Sequence, residues 1–183
     1  TSVSLVSGNV DTAVATADTS SMAYLSGADI TITNDIVVRS VARSLAEALI
    51  TNDSFSFGLV GMGMALMYAN ADGNYRSYIK GGSVRARGVL VETRYYTNAR
   101  AKTTQPTNGA AVTAVSVKTN IATAISGTQA QAQLSGSGEI TATGMLSQSS
   151  LDGEAPDSPS ISSLVVRVIG NGPTEAGVAM PVV

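Results

Sequence analysis

Cysteine, histidine and tryptophan are all missing from this chain. Without cysteine there is no disulfide and no thiolate metal site. Without histidine the commonest general base is lost, and with both absent so are the commonest zinc ligands and the Ser-His and Cys-His nucleophile pairs. Aromatic residues make up only 4% of the chain and charged residues 13%, about half the usual charged share of a soluble domain. The formal net charge is −2, and lysines and arginines are scattered among acids, so the chain has neither the basic stripe nor the stacking platforms that nucleic acid requires. The longest nearly uncharged apolar stretch, Phe57 to Ala71, contains Gly58, Gly61 and Gly63 and falls short of the roughly 20 residues that cross a bilayer, which argues against a transmembrane segment.

What remains is rich in small and β-branched residues. Hydrophobic residues reach 44%, enough to build a core, but the share leans on Ala and Val, with Ser, Thr and Gly filling much of the rest. Such side chains suit thin, regular layers of sheet better than a globule built on bulky anchors. Low charge and abundant Ser, Thr, Asn and Gln point to a secreted, extracellular chain.

The most informative feature is internal repetition. Tyr24-Leu25-Ser26-Gly27-Ala28-Asp29-Ile30-Thr31-Ile32, Tyr78-Ile79-Lys80-Gly81-Gly82-Ser83-Val84-Arg85-Ala86 and Gln133-Leu134-Ser135-Gly136-Ser137-Gly138-Glu139-Ile140-Thr141-Ala142 share one pattern: a strand end, a glycine turn and a new alternating strand. The match runs upstream at an offset of 54, from Leu5 and Val6 to Leu59 and Val60, and from Ala15, Ala17 and Asp18 to Ala69, Ala71 and Asp72. A further step of 55 takes Ala69 to Ala124 and Gly81 to Gly136, and one inserted residue makes it 56 for Ala86 to Ala142.

Each unit reads as two arms joined by a polar connection, such as Thr51-Asn52-Asp53 or Thr104-Gln105-Pro106-Thr107-Asn108-Gly109, and so as a long β-hairpin. Residues 36–50 carry Val37, Val41, Leu45 and Leu49 at intervals of four, a helical spacing. The matching arm of the next unit, with Thr93, Tyr95 and Thr97, alternates instead. Read with period two, Ser40, Ala42, Ser44, Ala46 and Ala48 share one face and Arg39, Val41, Arg43, Leu45 and Glu47 the other, so a strand is predicted. Arms this long, roughly 60 Å if unbroken, predict bulges, with Gly58, Gly61 and Gly63 as bend points.

The expected fold is all-β: tandem long β-hairpin repeats stacked as a β-solenoid-like or elongated sheet rod. The expected division is a half unit 1–25, units 26–79 and 80–134, and a partial irregular unit 135–183. The first arm begins, and the last resembles the beginning of, the same returning arm. Terminal arms around Ser4, Leu5 and Val6 and around Val165, Val166 and Val168 are therefore the expected joints with further copies or adjoining repeats.

The succession Gly58-Leu59-Val60-Gly61-Met62-Gly63, then Ala69 and Ala71, then Tyr78 to Gly88, resembles the tandem units of giant secreted bacterial adhesins of the filamentous haemagglutinin and leukotoxin type. The resemblance covers nearly the whole chain in rhythm rather than in a diagnostic motif. It implies a repetitive β stalk, export to the cell surface, and adhesion or filament formation. The region of Pro156 and Pro159 departs from the pattern.

No carboxylate pair recurs with the repeat, which argues against a glycosidase and against catalysis in general. Calcium is the one cofactor the composition offers: Asp152, Glu154 and Asp157 lie in one loop, although Asp, Asn and Gly are also ordinary turn formers and no EF-hand spacing is present. The Gly58 to Gly63 run lacks the lysine and following helix of a nucleotide-binding turn. Tyr75, Tyr78, Tyr95 and Tyr96 form a candidate binding face for surface glycans, against a packing role as strand residues. The expected function is a non-catalytic structural repeat segment or self-assembling subunit of an extracellular filament, stalk or surface adhesin. The alternatives are a glycan- or receptor-binding β module, and a virion tail or fibre protein.

Overall fold

A computed structural model describes residues 6–51, 57–104, 112–147, 149–151, 163–171 and 174–178. Among them no helix occurs. Eight strands follow one another: β1 (Val6–Ser26), β2 (Asp29–Thr31), β3 (Ile36–Thr51), β4 (Phe57–Ala86), β5 (Val89–Thr104), β6 (Val112–Ala142), β7 (Leu164–Ile169) and β8 (Thr174–Val178).

The period-two reading of residues 36–50 holds. Ser40, Ser44, Ala46 and Ala48 are buried while Val41, Arg43, Leu45 and Glu47 are exposed. The four-residue spacing of Val37, Val41, Leu45 and Leu49 is thus every second outward position of a strand, not a helical stripe.

The hairpin expectation is corrected by the pairing. β1, β4, β6 and β8 form a first sheet in that order, with β2 also alongside β4, whereas β3, β5 and β7 form a second. The two arms of a repeat therefore belong to different sheets, and each pairs with the like arm of a neighbouring repeat. The register is parallel: Ile30 lies opposite Val84, 54 residues on. Alternation of side chains is common to hairpins and parallel stacks, so the sequence pattern alone did not separate them. In the second sheet Val91 lies opposite Val166, an offset of 75, because the chain between β6 and β7 makes an excursion that the earlier repeats lack.

Gly58, Gly61 and Gly63, the predicted bend points, lie within β4, which runs through all three. The irregularity sits at the glycine turn, inside the strand. Inward residues Ile79 and Val84 are five apart, an odd step that alternation forbids unless a bulge intervenes, and Gly81 and Gly82 supply it with φ of 66° and 83°. In β6 the corresponding inward pair, Leu134 and Ile140, is six apart, and the extra residue, Ser137, is flanked by Gly136 and Gly138.

The chain divides into two compact bodies. The first comprises Thr1–Ala17, Leu45–Asp72 and Asn98–Ser126; the second comprises Asp18–Ser44, Gly73–Thr97 and Gly127–Val183. In the first body the two sheets meet through alanine: Ala46 and Ala48 of β3 pack with Ala65, Ala69 and Ala71 of β4, bordered by Ala13, Ala15 and Ala17 of β1. Met67 and Ile50 are the large members. Small side chains here allow close sheet packing with little rotamer entropy to lose.

The core of the second body is bulkier, with Ile79, Val84, Leu134 and Ile140 from the first sheet against Val38, Val89, Val91 and Leu164 from the second. Hydroxyls in this interior bridge the sheets. Ser77 Oγ donates to the Glu92 carbonyl at 2.7 Å and accepts from Ser40 N at 3.0 Å, and Thr93 Oγ1 donates to the Gln131 carbonyl at 2.7 Å. Buried polar atoms satisfied in this way cost little and fix the sheets against sliding.

Candidate functional site

The polar side chains that do most in the second body surround two carboxylates. Glu92, on an outward position of β5, is fully buried. Arg39 of β3, Arg94 of β5 and Arg167 of β7 close around it, each with Nε at 2.6 Å from a carboxylate oxygen. The register explains the convergence, because β5 and β7 pair with Glu92 opposite Arg167. Burial alone would raise the Glu92 carboxyl. Hydrogen bonds from Arg94 and Arg167 and the charges of Arg167 and Arg39 outweigh it, so the group is held below the ordinary glutamate range.

Asp35 occupies the step between β2 and β3, where the chain changes sheet. Arg87 Nε lies 2.8 Å from Oδ1, while Ser147 N, Ser147 Oγ and Ser150 Oγ donate to Oδ2 at 2.8, 2.7 and 2.8 Å. The Arg87 hydrogen bond is the main cause of a strongly lowered carboxyl pKa; burial opposes it and the serine donors add to it. Asp35 thereby anchors the chain that leaves β6. Leu146 and Leu151 of that excursion cover Leu90 beside Val165, and Arg39 Nη2 donates to the Ser150 carbonyl at 2.8 Å. Both carboxylates are held ionised by arginine, so neither is poised to give or take a proton near neutral pH. They act as ties between successive strands and the covering loop.

The four tyrosines of the expected binding face are split by the fold. Tyr75 and Tyr95 are buried, stacked on each other with ring centroids 5.6 Å apart, so they are not a binding surface. Their bulk fits an otherwise thin interior because Ala42 and Ala130 adjoin them, the Tyr75 ring lies over Gly73, and the Tyr95 ring lies over Gly170. Tyr75 Oη and Thr19 Oγ1 are 2.9 Å apart and share a hydrogen bond. Tyr78 does face outward, stacked on Tyr24 at 5.4 Å, and Tyr24 is 62% exposed. Tyr96 is outward too, with the Arg43 guanidinium 5.2 Å above its ring.

Of the expected joint residues, Val165, Val166 and Val168 lie on β7, opposite Leu90, Val91 and Thr93, and β7 is the last strand of its sheet among the described residues. Val6 opens β1; Ser4 and Leu5 lie outside the described residues. Asp152, Glu154 and Asp157, the calcium candidates, also lie outside them. Among the described residues no three acidic groups gather, and Asp72 Oδ2 accepts from Asn70 Nδ2 at 2.7 Å.

The Glu92 and Asp35 clusters were missed by the sequence reading, which saw isolated acids. Glu92 meets Arg167 through the offset of 75 between β5 and β7, and Asp35 meets Ser147 112 residues on, spacings that no repeat announces. Comparison with protein-family models, with curated proteins and with solved structures gives no match. No helix among the described residues is long and apolar enough to cross a membrane.

Proposed function

We propose that this chain is a non-catalytic structural repeat segment or self-assembling subunit of an extracellular filament, stalk or surface adhesin, wound as a β-solenoid in which each repeat contributes one coil. The observation that carries this reading is the parallel pairing of like arms at the repeat offset, with Ile30 opposite Val84 and Tyr24 stacked on Tyr78. A coil of this kind makes its backbone hydrogen bonds to the coils before and after it, so stability is a sum over neighbours and length adds without a new core. The edge of β1 away from β4 has no strand beside it among the described residues. Such an edge is a template for another parallel coil, from the same polypeptide or from a further copy.

Electron microscopy and mass measurement of the purified chain test the reading. Ordered fibres, or discrete end-on oligomers lost on deleting residues 1–20, support it; a monomer at every concentration, unaffected by that deletion, counts against the self-assembling form.

A second reading, a glycan-binding module, is favoured by one feature: the outward Tyr24 and Tyr78 rings form a small stacked platform of the type that sugars pack against. Glycan-array binding abolished by Tyr24→Ala with assembly intact would favour it over the structural role.

A further inference from the structure

Two pairs of tyrosines stack in the second body, and they differ in exposure. Tyr24 of β1 and Tyr78 of β4 have ring centroids 5.4 Å apart and planes 15° from parallel, on the outward face. Tyr75 and Tyr95 stack almost as closely, at 5.6 Å and 29°, but are 0% and 5% exposed. Tyr24 is 62% exposed, and Tyr78 Oη donates to Met22 Sδ at 3.8 Å at the surface. The outward pair is a product of the parallel stack, which sets like positions of successive repeats side by side, as it does Ile30 and Val84 at the same offset of 54. The third repeat carries Gln133 at this position, so the row holds two rings.

We infer that Tyr24 and Tyr78 are a site of oxidative coupling, joined by a carbon–carbon bond between their rings when the chain meets hydrogen peroxide and a one-electron oxidant such as a haem peroxidase. Each phenol gives up one electron and its hydroxyl proton, and the unpaired spin is shared with the ring carbons beside the one that bears the oxygen. Two such carbons, one Cε from each ring, form the bond, and the hydrogen each carried moves to its own phenol oxygen. The pair has then lost two hydrogen atoms in all, and one molecule of peroxide takes them to become two of water. The stack supplies the proximity that makes coupling within the chain faster than coupling between chains. Exposure supplies the rest, because it admits the oxidant and leaves the Tyr24 ring room to turn its edge toward Tyr78. The buried pair has the proximity without the access. The bond ties β1, the first strand of its sheet among the described residues, to β4. It closes a loop between residues 54 apart in a chain that has no cysteine for a disulfide. The site depends on the fold alone, whether the chain assembles or binds a glycan.

The test treats the intact chain, at low concentration, with hydrogen peroxide and a haem peroxidase, follows dityrosine fluorescence, and maps tryptic peptides by mass. Trypsin places Tyr24 in residues 1–39 and Tyr78 in residues 77–80, whereas Tyr75 falls in 44–76 and Tyr95 in 95–100. The expected product is a single chain in which 1–39 is linked to 77–80 with two hydrogen atoms lost. Tyr24→Phe and Tyr78→Phe should each lower the fluorescence about tenfold or more, and Tyr75→Phe should leave the link in place. The linked chain should also unfold at a higher denaturant concentration than the untreated one. Coupling only between chains, a link between 44–76 and 95–100 formed as readily, oxygen gained at Met22 with no link, or equal coupling in the urea-unfolded chain would each overturn the inference. If Tyr78→Phe fails to fold, Tyr24→Phe, on the exposed edge strand, carries the test.

Discussion

Gly138 of β6 lies against Gly82 of β4 with φ of 147°, and a Cβ there would run into the Gly82 carbonyl oxygen. Gly82 stands in the same relation to Ala28. These glycines are therefore required by the stacking itself and not by a turn at the surface. Gly138→Ala should lower stability by about 2–3 kcal/mol, from backbone strain and displacement of the neighbouring strand, measured by denaturant unfolding. Glu92 is the other sensitive residue. Removing its charge leaves Arg39, Arg94 and Arg167 repelling one another; as they are 13–25% exposed and partly screened, Glu92→Gln should cost about 2–3 kcal/mol, below the loss for a fully buried pair. The carboxyls of Glu92 and Asp35 are both lowered in the folded chain, so their stabilisation is complete above the unfolded carboxylate pKa of about 4 and is lost as pH falls through the lower folded values. Unfolding free energy should fall with acidification below about pH 4. In Glu92→Gln that fall should be shallower; an unchanged slope would assign the acid sensitivity elsewhere.

At the scale of the element, β7 is much shorter than its counterparts β3 and β5, six residues against sixteen. Its pairing with β5 ends at Ile169, and Asn171 then takes over with its side chain. Oδ1 accepts from Thr97 N at 3.2 Å and from Thr97 Oγ1 at 3.0 Å, and Nδ2 donates to the Thr97 carbonyl at 3.2 Å. The amide imitates one more strand residue and finishes the ladder. Asn171→Ala should cost about 1–2 kcal/mol by removing its three hydrogen bonds with the buried Thr97. Amide exchange at Thr97 should accelerate while exchange at Val91 stays slow; equal acceleration at both would mean the whole strand had loosened. Much at this scale was legible in advance. The strand state of residues 36–50 followed from alternation of Ser and Ala against Arg, Val and Leu, and the pairing offset of 54 followed from Tyr24 and Tyr78. The parallel sense did not, because the pleat places side chains alike in either sense. Nor did the excursion after β6, whose tie to Asp35 joins residues 112 positions apart through serines that look like any others in a serine-rich chain. The tyrosines were half legible for a related reason. Tyr75 and Tyr95 are inside because Gly73 and Gly170 make room, and each of those spaces depends on where its ring turns.

For the whole molecule, side-chain parity sets which changes in length can be absorbed. One residue added within a strand turns every following inward position outward, until a glycine bulge restores the count. Ser137 is such an addition, placed between Gly136 and Gly138. A single alanine inserted after Ala71 in β4 has no glycine pair to absorb it before Tyr75, Ser77 and Ile79, and should abolish cooperative thermal unfolding followed by circular dichroism. A chain with residues 26–79 duplicated keeps every side chain on its own face, and should unfold at a temperature no lower than the original. Growth by a whole repeat therefore preserves the interior, and the step from Ala69 to Ala124, one residue longer than that from Ala15 to Ala69, keeps each alanine on its face because the added residue falls outside the strands. Unequal recombination between neighbouring copies in the gene conserves that parity without selection having to repair the interior, whereas slippage by one codon within a strand is tolerated only at the glycines.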